Sequence, residues 1–124
     1  MTARGLIALR VAAIAATALY LVPTGAHLFE MRGKLALPMA DYMVVQRIYA
    51  GWSFFGVVVV VALACLLWHS LLLRRARGRA YVLSLASFLS LAATQAVFWL
   101  FIYPVNASSA QWTRVPPSFE AARL

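Results

Sequence analysis

A chain of 124 residues with 65% apolar and only 11% charged side chains lacks the polar surface of a water-soluble globule, in which about a quarter of residues are charged. Its net charge of +8 is uneven, with Arg74, Arg75, Arg77 and Arg79 gathered between two apolar blocks. A short basic cluster flanked by membrane-length apolar runs argues against nucleic-acid binding; it fits a cytoplasmic loop under the positive-inside rule, in contact with anionic lipid headgroups.

The apolar residues come in long blocks, and about 20 such residues cross the hydrocarbon of a bilayer. Three blocks fit. The expected fold class is therefore all-α: an integral membrane helical bundle with three transmembrane helices, forming a single transmembrane domain over residues 1–124 with no room for a separate soluble one.

The first block covers about residues 6–29, with Arg4 and Arg10 near its start. A secretory signal peptide cut after Ala16-Thr17-Ala18 is the competing reading. Arg10 interrupts the apolar centre that such a peptide needs, and apolar character continues through Tyr20, Leu21 and Val22, so a retained helix is expected. Pro23 and Gly25 predict a kink or loosening of its far end. A polar, broken loop is expected over residues 30–41, which hold Arg32, Gly33, Lys34 and Pro38.

The second span is expected over about residues 46–73, starting between Tyr42 and Ile48. Its valines at 57–61 favour a strand in a soluble protein, but the length of the apolar run favours a helix. The lone cysteine, Cys65, lies in this run and reads as a small apolar residue. The third span covers about residues 80–103 and is expected to stop at Pro104. A polar tail, 105–124, follows, in which Ser118 has the chemistry of a helix cap. With the arginines inside, the N-terminus is cytoplasmic, and loop 30–41 and the tail lie on the outer side.

Polar side chains in a span turn away from lipid, so their spacing can be read. Thr17, Tyr20, Thr24, His27 and Glu30 recur at three- and four-residue steps, as do Gln46, Tyr49, Ser53 and Gly56, and Ser84, Ser87, Leu91 and Thr94. Such residues share one helix face. For the small and hydroxyl residues, close packing accounts for the pattern. The larger groups, His27, Glu30, Gln46 and Tyr49, fall at the outer ends of the first two spans, where they form a candidate pocket. His27 and Glu30, three apart, match a proton-transfer pair, since a carboxylate orients an imidazole and raises its basicity. They equally match an interfacial histidine beside a solvated glutamate.

No metal or cofactor is called for. A di-iron bundle needs about four carboxylates and two histidines, whereas the acids here are Glu30, Asp41 and Glu120. His27 and His69 belong to opposite ends of their spans, which separates them by about the 30 Å of the hydrocarbon and excludes a haem held between them. Zinc-ligand clusters, phosphate-binding glycine loops and nucleophile triads are absent from the sequence. Most tryptophans and tyrosines fall near span ends, as an interfacial aromatic belt requires; Trp112 stands in the polar tail and is expected to fold back on the outer mouth.

Three stretches, Val22-Pro23-Thr24-Gly25-Ala26-His27-Leu28-Phe29-Glu30, Gln46-Arg47-Ile48-Tyr49-Ala50-Gly51-Trp52 and Tyr103-Pro104-Val105-Asn106 leading to Gln111-Trp112-Thr113, together resemble the anthrone-oxygenase-like family of small four-helix membrane proteins. The resemblance covers nearly the whole chain. It implies a four-helix bundle and, for some fungal relatives, oxidation of an anthrone to an anthraquinone. On it, His27, Glu30, Gln46, Tyr49, Trp52, Asn106 and Trp112 match the family's motif positions. The resemblance leaves their roles open; chemistry suggests a scheme without metal in which His27, tuned by Glu30, deprotonates a lipophilic aromatic or quinone-like substrate, Gln46 and Tyr49 hydrogen-bond the developing oxyanion, and Trp52, Asn106 and Trp112 fall on the binding side. Family members continue into a fourth span where this sequence ends at Leu124, so the expectation is a shortened product, a fragment, or a version whose exposed seam is covered by another subunit or a neighbouring copy.

The rival reading is a non-catalytic accessory subunit of a larger membrane complex. It expects tolerance of His27 loss and failure on bulky changes at Gly56 or Ser87. The partners expected are membrane lipids, further copies or a larger complex, and a lipophilic small molecule.

Overall fold

The computed structural model describes residues 2–49 and 51–115 of the chain. The described residues are mostly helical, without strands. Helix α1 spans Ala3–Leu35, α2 Met39–Arg47, α3 Phe55–Leu73 and α4 Arg79–Val97; the five residues Phe98–Ile102 form a π-helical turn that leads into α5, Tyr103–Ser108. Three segments are long and apolar enough to cross a membrane: Ala3–Leu35, Trp52–Leu73 and Arg79–Ser108. Large apolar side chains face outward, with Phe29 87%, Ile14 70% and Leu100 69% exposed. Exposure on that scale suits lipid as the solvent and fits a multi-pass membrane protein.

Helix ends differ from the sequence expectations in three places. α1 does not stop near residue 29 but runs to Leu35. The helix extends because Glu30 and Lys34 pair at i, i+4, 3.1 Å apart, which supports a helical turn. The loop thus shrinks to residues 36–38, before α2 opens at Met39. The second span is interrupted: α2 ends at Arg47, Gly51 takes a φ of +88° that costs a glycine little, and a 3₁₀ turn at Trp52–Phe54 starts the long helix. Gln46 and Tyr49 therefore stand on a short helix and the turn after it.

The third span continues past Pro104. The Tyr103 N–H donates to the Phe98 carbonyl, an i to i−5 bond that widens the turn and lets the chain carry a proline into α5. Expectations for Ser118 concern positions outside the described residues.

The chain divides into two compact units, Met1–Val22 with Phe54–Gln95, and Pro23–Ser53 with Ala96–Leu124. The division in α1 falls at Pro23, which lies inside the helix and withholds one backbone N–H from its ladder.

In the first unit, α1, α3 and α4 meet around Ala16, Val59, Ala62 and Leu91, with Tyr20, Val58, Leu63 and Leu66 packed against them. Two alanines in the seam let the backbones approach, as in membrane helix pairs generally. Hydroxyls and an amide tie the seam: Gln95 Nε2 donates to the Tyr20 hydroxyl at 2.8 Å, and the Ser70 and Ser84 hydroxyls meet at 2.9 Å.

In the second unit, Tyr42, Met43 and Trp112 form a smaller core with Leu37 and Val105.

Candidate functional site

The second unit places four of the seven motif residues together. His27 and Glu30 come from the last turns of α1, Tyr49 from the turn after α2 and Trp52 from the 3₁₀ turn. The ring centroids of His27 and Tyr49 are 4.3 Å apart, those of Tyr49 and Trp52 4.8 Å, and those of His27 and Trp52 6.1 Å. The Tyr49 hydroxyl donates to the Glu30 carboxylate.

Lys34 organises this group. Its Nζ lies 3.1 Å from a Glu30 carboxylate oxygen, 3.2 Å from His27 Nδ1 and 4.2 Å from the centroid of the Tyr49 ring. The residue is buried, at 8% exposure. A helical side chain leans toward the N-terminal turn, so Lys34 reaches back over Glu30 to His27. An ammonium donates and never accepts. His27 Nδ1 is then the acceptor, which puts the imidazole proton on Nε2. The expected direct pairing of His27 with Glu30 thus takes the form of a shared partner, Lys34, between them.

A cleft of about 340 Å³ opens beside this group, lined by Thr24, His27, Leu28, Met31, Lys34, Leu35, Tyr42, Gln46 and Ile102. Its volume is at the lower end of the range for small-molecule sites, about 300–1,000 Å³. Gln46 enters it from α2, and its Nε2 donates to the Tyr42 hydroxyl at 3.2 Å.

Asn106 and Trp112 stand away from the imidazole. The Trp112 indole N–H donates to Asn106 Oδ1 at 2.8 Å, and the indole packs edge-on against Tyr42 at 5.6 Å. Arg47 Nε donates to the Trp112 carbonyl at 3.4 Å, and Trp112 N–H to the Ser109 hydroxyl at 3.1 Å. The segment after α5 is thereby strapped onto α2, with Trp112 at 8% exposure. These two residues support the cleft wall through Tyr42.

Sequence reasoning passed over Lys34 and Tyr42. Lys34 fell in an expected loop, yet it stands seven residues after His27 and four after Glu30, continuing the helix face already traced from Thr17. Among the described residues no group of three or more histidine, cysteine, aspartate or glutamate side chains is placed to hold a metal.

Comparison with protein-family models, with curated proteins and with solved structures returns no match.

Proposed function

We propose that the chain is a membrane oxidoreductase of the anthrone-oxygenase-like type. It acts on a lipophilic aromatic ketone or phenol that loses a proton to give an electron-rich anion. The observation that carries this reading is Lys34 bridging Glu30 and His27 at the edge of an apolar cleft. That arrangement sets one carboxylate beside two donors, the Lys34 ammonium and the Tyr49 hydroxyl, with the His27 imidazole held on the far side of Lys34.

In the proposed reaction, the carboxylate of Glu30 takes the substrate proton. The developing oxyanion is met by His27 Nε2–H, with Gln46 adding an amide donor across the cleft, which is where preorganised donors lower a barrier most. Tyr49 and Trp52, packed against His27, hold the imidazole in place for the substrate. Dioxygen is the oxidant: for an anthrone the carbanion adds O₂, the resulting peroxide loses water, and an anthraquinone forms, so anthrone plus O₂ gives anthraquinone plus H₂O. His27 serves here as a donor, because a base at Nε2 requires the other tautomer and loses the Lys34 bond.

The positive-inside rule puts the arginine loop in the cytoplasm and this site toward the outer leaflet, where a lipophilic substrate partitions. The test is oxygen uptake and anthraquinone absorbance with the purified chain in lipid nanodiscs supplied with anthrone. Turnover that His27→Ala and Glu30→Gln each abolish is the expected result. Absence of turnover and of anthrone binding by the intact chain overturns the reading and leaves the accessory-subunit role.

A further inference from the structure

The unit formed by Met1–Val22 and Phe54–Gln95 contains Arg4, Arg10, Arg74, Arg75, Arg77 and Arg79, and no aspartate or glutamate. Five of these arginines lie at helix ends or in the loop. Arg10 lies within the apolar helix α1, where an unneutralised charge is costly.

The surroundings of Arg10 are neutral. Its Nε donates to His69 Nε2 at 3.2 Å. The His69 proton therefore sits on Nδ1, which is 3.0 Å from the Ser84 hydroxyl. Ser84 meets Ser70 at 2.9 Å, and Ser70 donates to the Leu66 carbonyl at 2.8 Å. This relay ends on a backbone oxygen and supplies no negative charge. It anchors Nε and leaves the two terminal Nη groups, the fork that grips a phosphate in two parallel bonds.

A cleft of about 510 Å³ starts at Arg10 and His69. One wall is the α1 face bearing Ala13, Thr17 and Leu21, and Leu83 of α4 lies on the other. From Arg10 to Leu21 this wall rises about 16 Å.

We propose that this cleft seats one anionic phospholipid. Its phosphate pairs with the Arg10 guanidinium held by His69, and an acyl chain follows Ala13 and Leu21. A free phosphate satisfies Arg10 alone and leaves the apolar track unfilled.

The test is native mass spectrometry of the full chain released from micelles containing equal amounts of phosphatidylglycerol and phosphatidylcholine with the same acyl chains. One phosphatidylglycerol should be retained in preference by about ten-fold. Arg10→Gln should bring that preference to parity, while Arg75→Gln in the loop leaves it intact. Leu21→Trp, which fills the track and keeps every arginine, should also lose the bound lipid, and it carries the test alone if Arg10→Gln does not fold. Equal retention of both lipids by the wild type, an unchanged preference in Arg10→Gln or in Leu21→Trp, or displacement of the lipid by inorganic phosphate each overturns the proposal.

Discussion

The Lys34 ammonium lies 4.2 Å from the centroid of the Tyr49 ring, in contact at the same time with the Glu30 carboxylate and the His27 imidazole. Lys34→Met removes the shared donor of His27 and Glu30. Stability should fall by about 1–2 kcal/mol, a modest figure because the Glu30 side chain is 44% exposed and keeps its bond from Tyr49. If the proposed reaction is the chain's activity, turnover of an anthrone should fall about 100-fold. Lys34→Arg should recover the stability but little of the turnover, since a planar fork does not reproduce the geometry of three convergent donors. Thermal denaturation in detergent and the oxygen-uptake assay read the two effects separately.

Tyr49→Phe tests the hydroxyl apart from the ring. The tilted contact to His27 and the edge-on contact to Trp52, at 4.3 and 4.8 Å between centroids, survive the change, whereas the donor to Glu30 is lost. The melting temperature should move by the equivalent of about 1 kcal/mol or less. Turnover should drop about ten-fold or more. A Phe variant as active as the wild type removes the hydroxyl from the chemistry.

The polar-residue spacing made the helix face through Thr24, His27 and Glu30 legible, because lipid forces such residues to one side. The grouping of Tyr49 and Trp52 with them came from a turn, where helical spacing has no force. Apolar length alone shows that the chain has three spans, but it does not mark their ends. The ion pair of Glu30 with Lys34 extends one helix, Gly51 interrupts another, and a π turn carries a third past Pro104. Each is a local balance of backbone hydrogen bonding that a hydropathy run does not register. Lys34 was hidden for that reason, since a lysine in a loop is solvated and the same lysine in a helix is aimed at the site. The Arg10–His69–Ser84–Ser70 chain was hidden because it joins three helices, and no spacing within one helix reveals its partners.

The strap after α5 carries three successive residues in the left-handed region, Ala110, Gln111 and Trp112, at φ of 48°, 57° and 64°. Each non-glycine residue there costs about 1 kcal/mol. Gln111 is exposed, so Gln111→Gly should raise stability by roughly 0.5–1 kcal/mol. Trp112→Ala should lower it by about 3 kcal/mol, since it empties the small core against Tyr42 and Met43 and strands Asn106 Oδ1. Protease sensitivity of the tail should rise in the Trp112 variant and not in the Gln111 variant. If both melt like the wild type, the strap does not hold the cleft wall.

Close helix packing in the first unit rests on Ala62, which is 0% exposed, rather than on Gly56, where an added Cβ meets nothing within 4 Å. Ala62→Leu forces at least three methylene-sized groups between packed helices and should destabilise by about 1–3 kcal/mol. Gly56→Ala should be neutral or stabilising by up to about 1 kcal/mol, because it lowers backbone entropy in the unfolded chain and improves helix propensity. The contrast also bears on the accessory-subunit reading. Gly56→Trp should leave the melting temperature of the isolated chain nearly unchanged, since the position is open. If that same variant then fails to co-purify with membrane partners that the wild type carries, the Gly56 face is an interface with another protein, and the catalytic proposal loses ground to it.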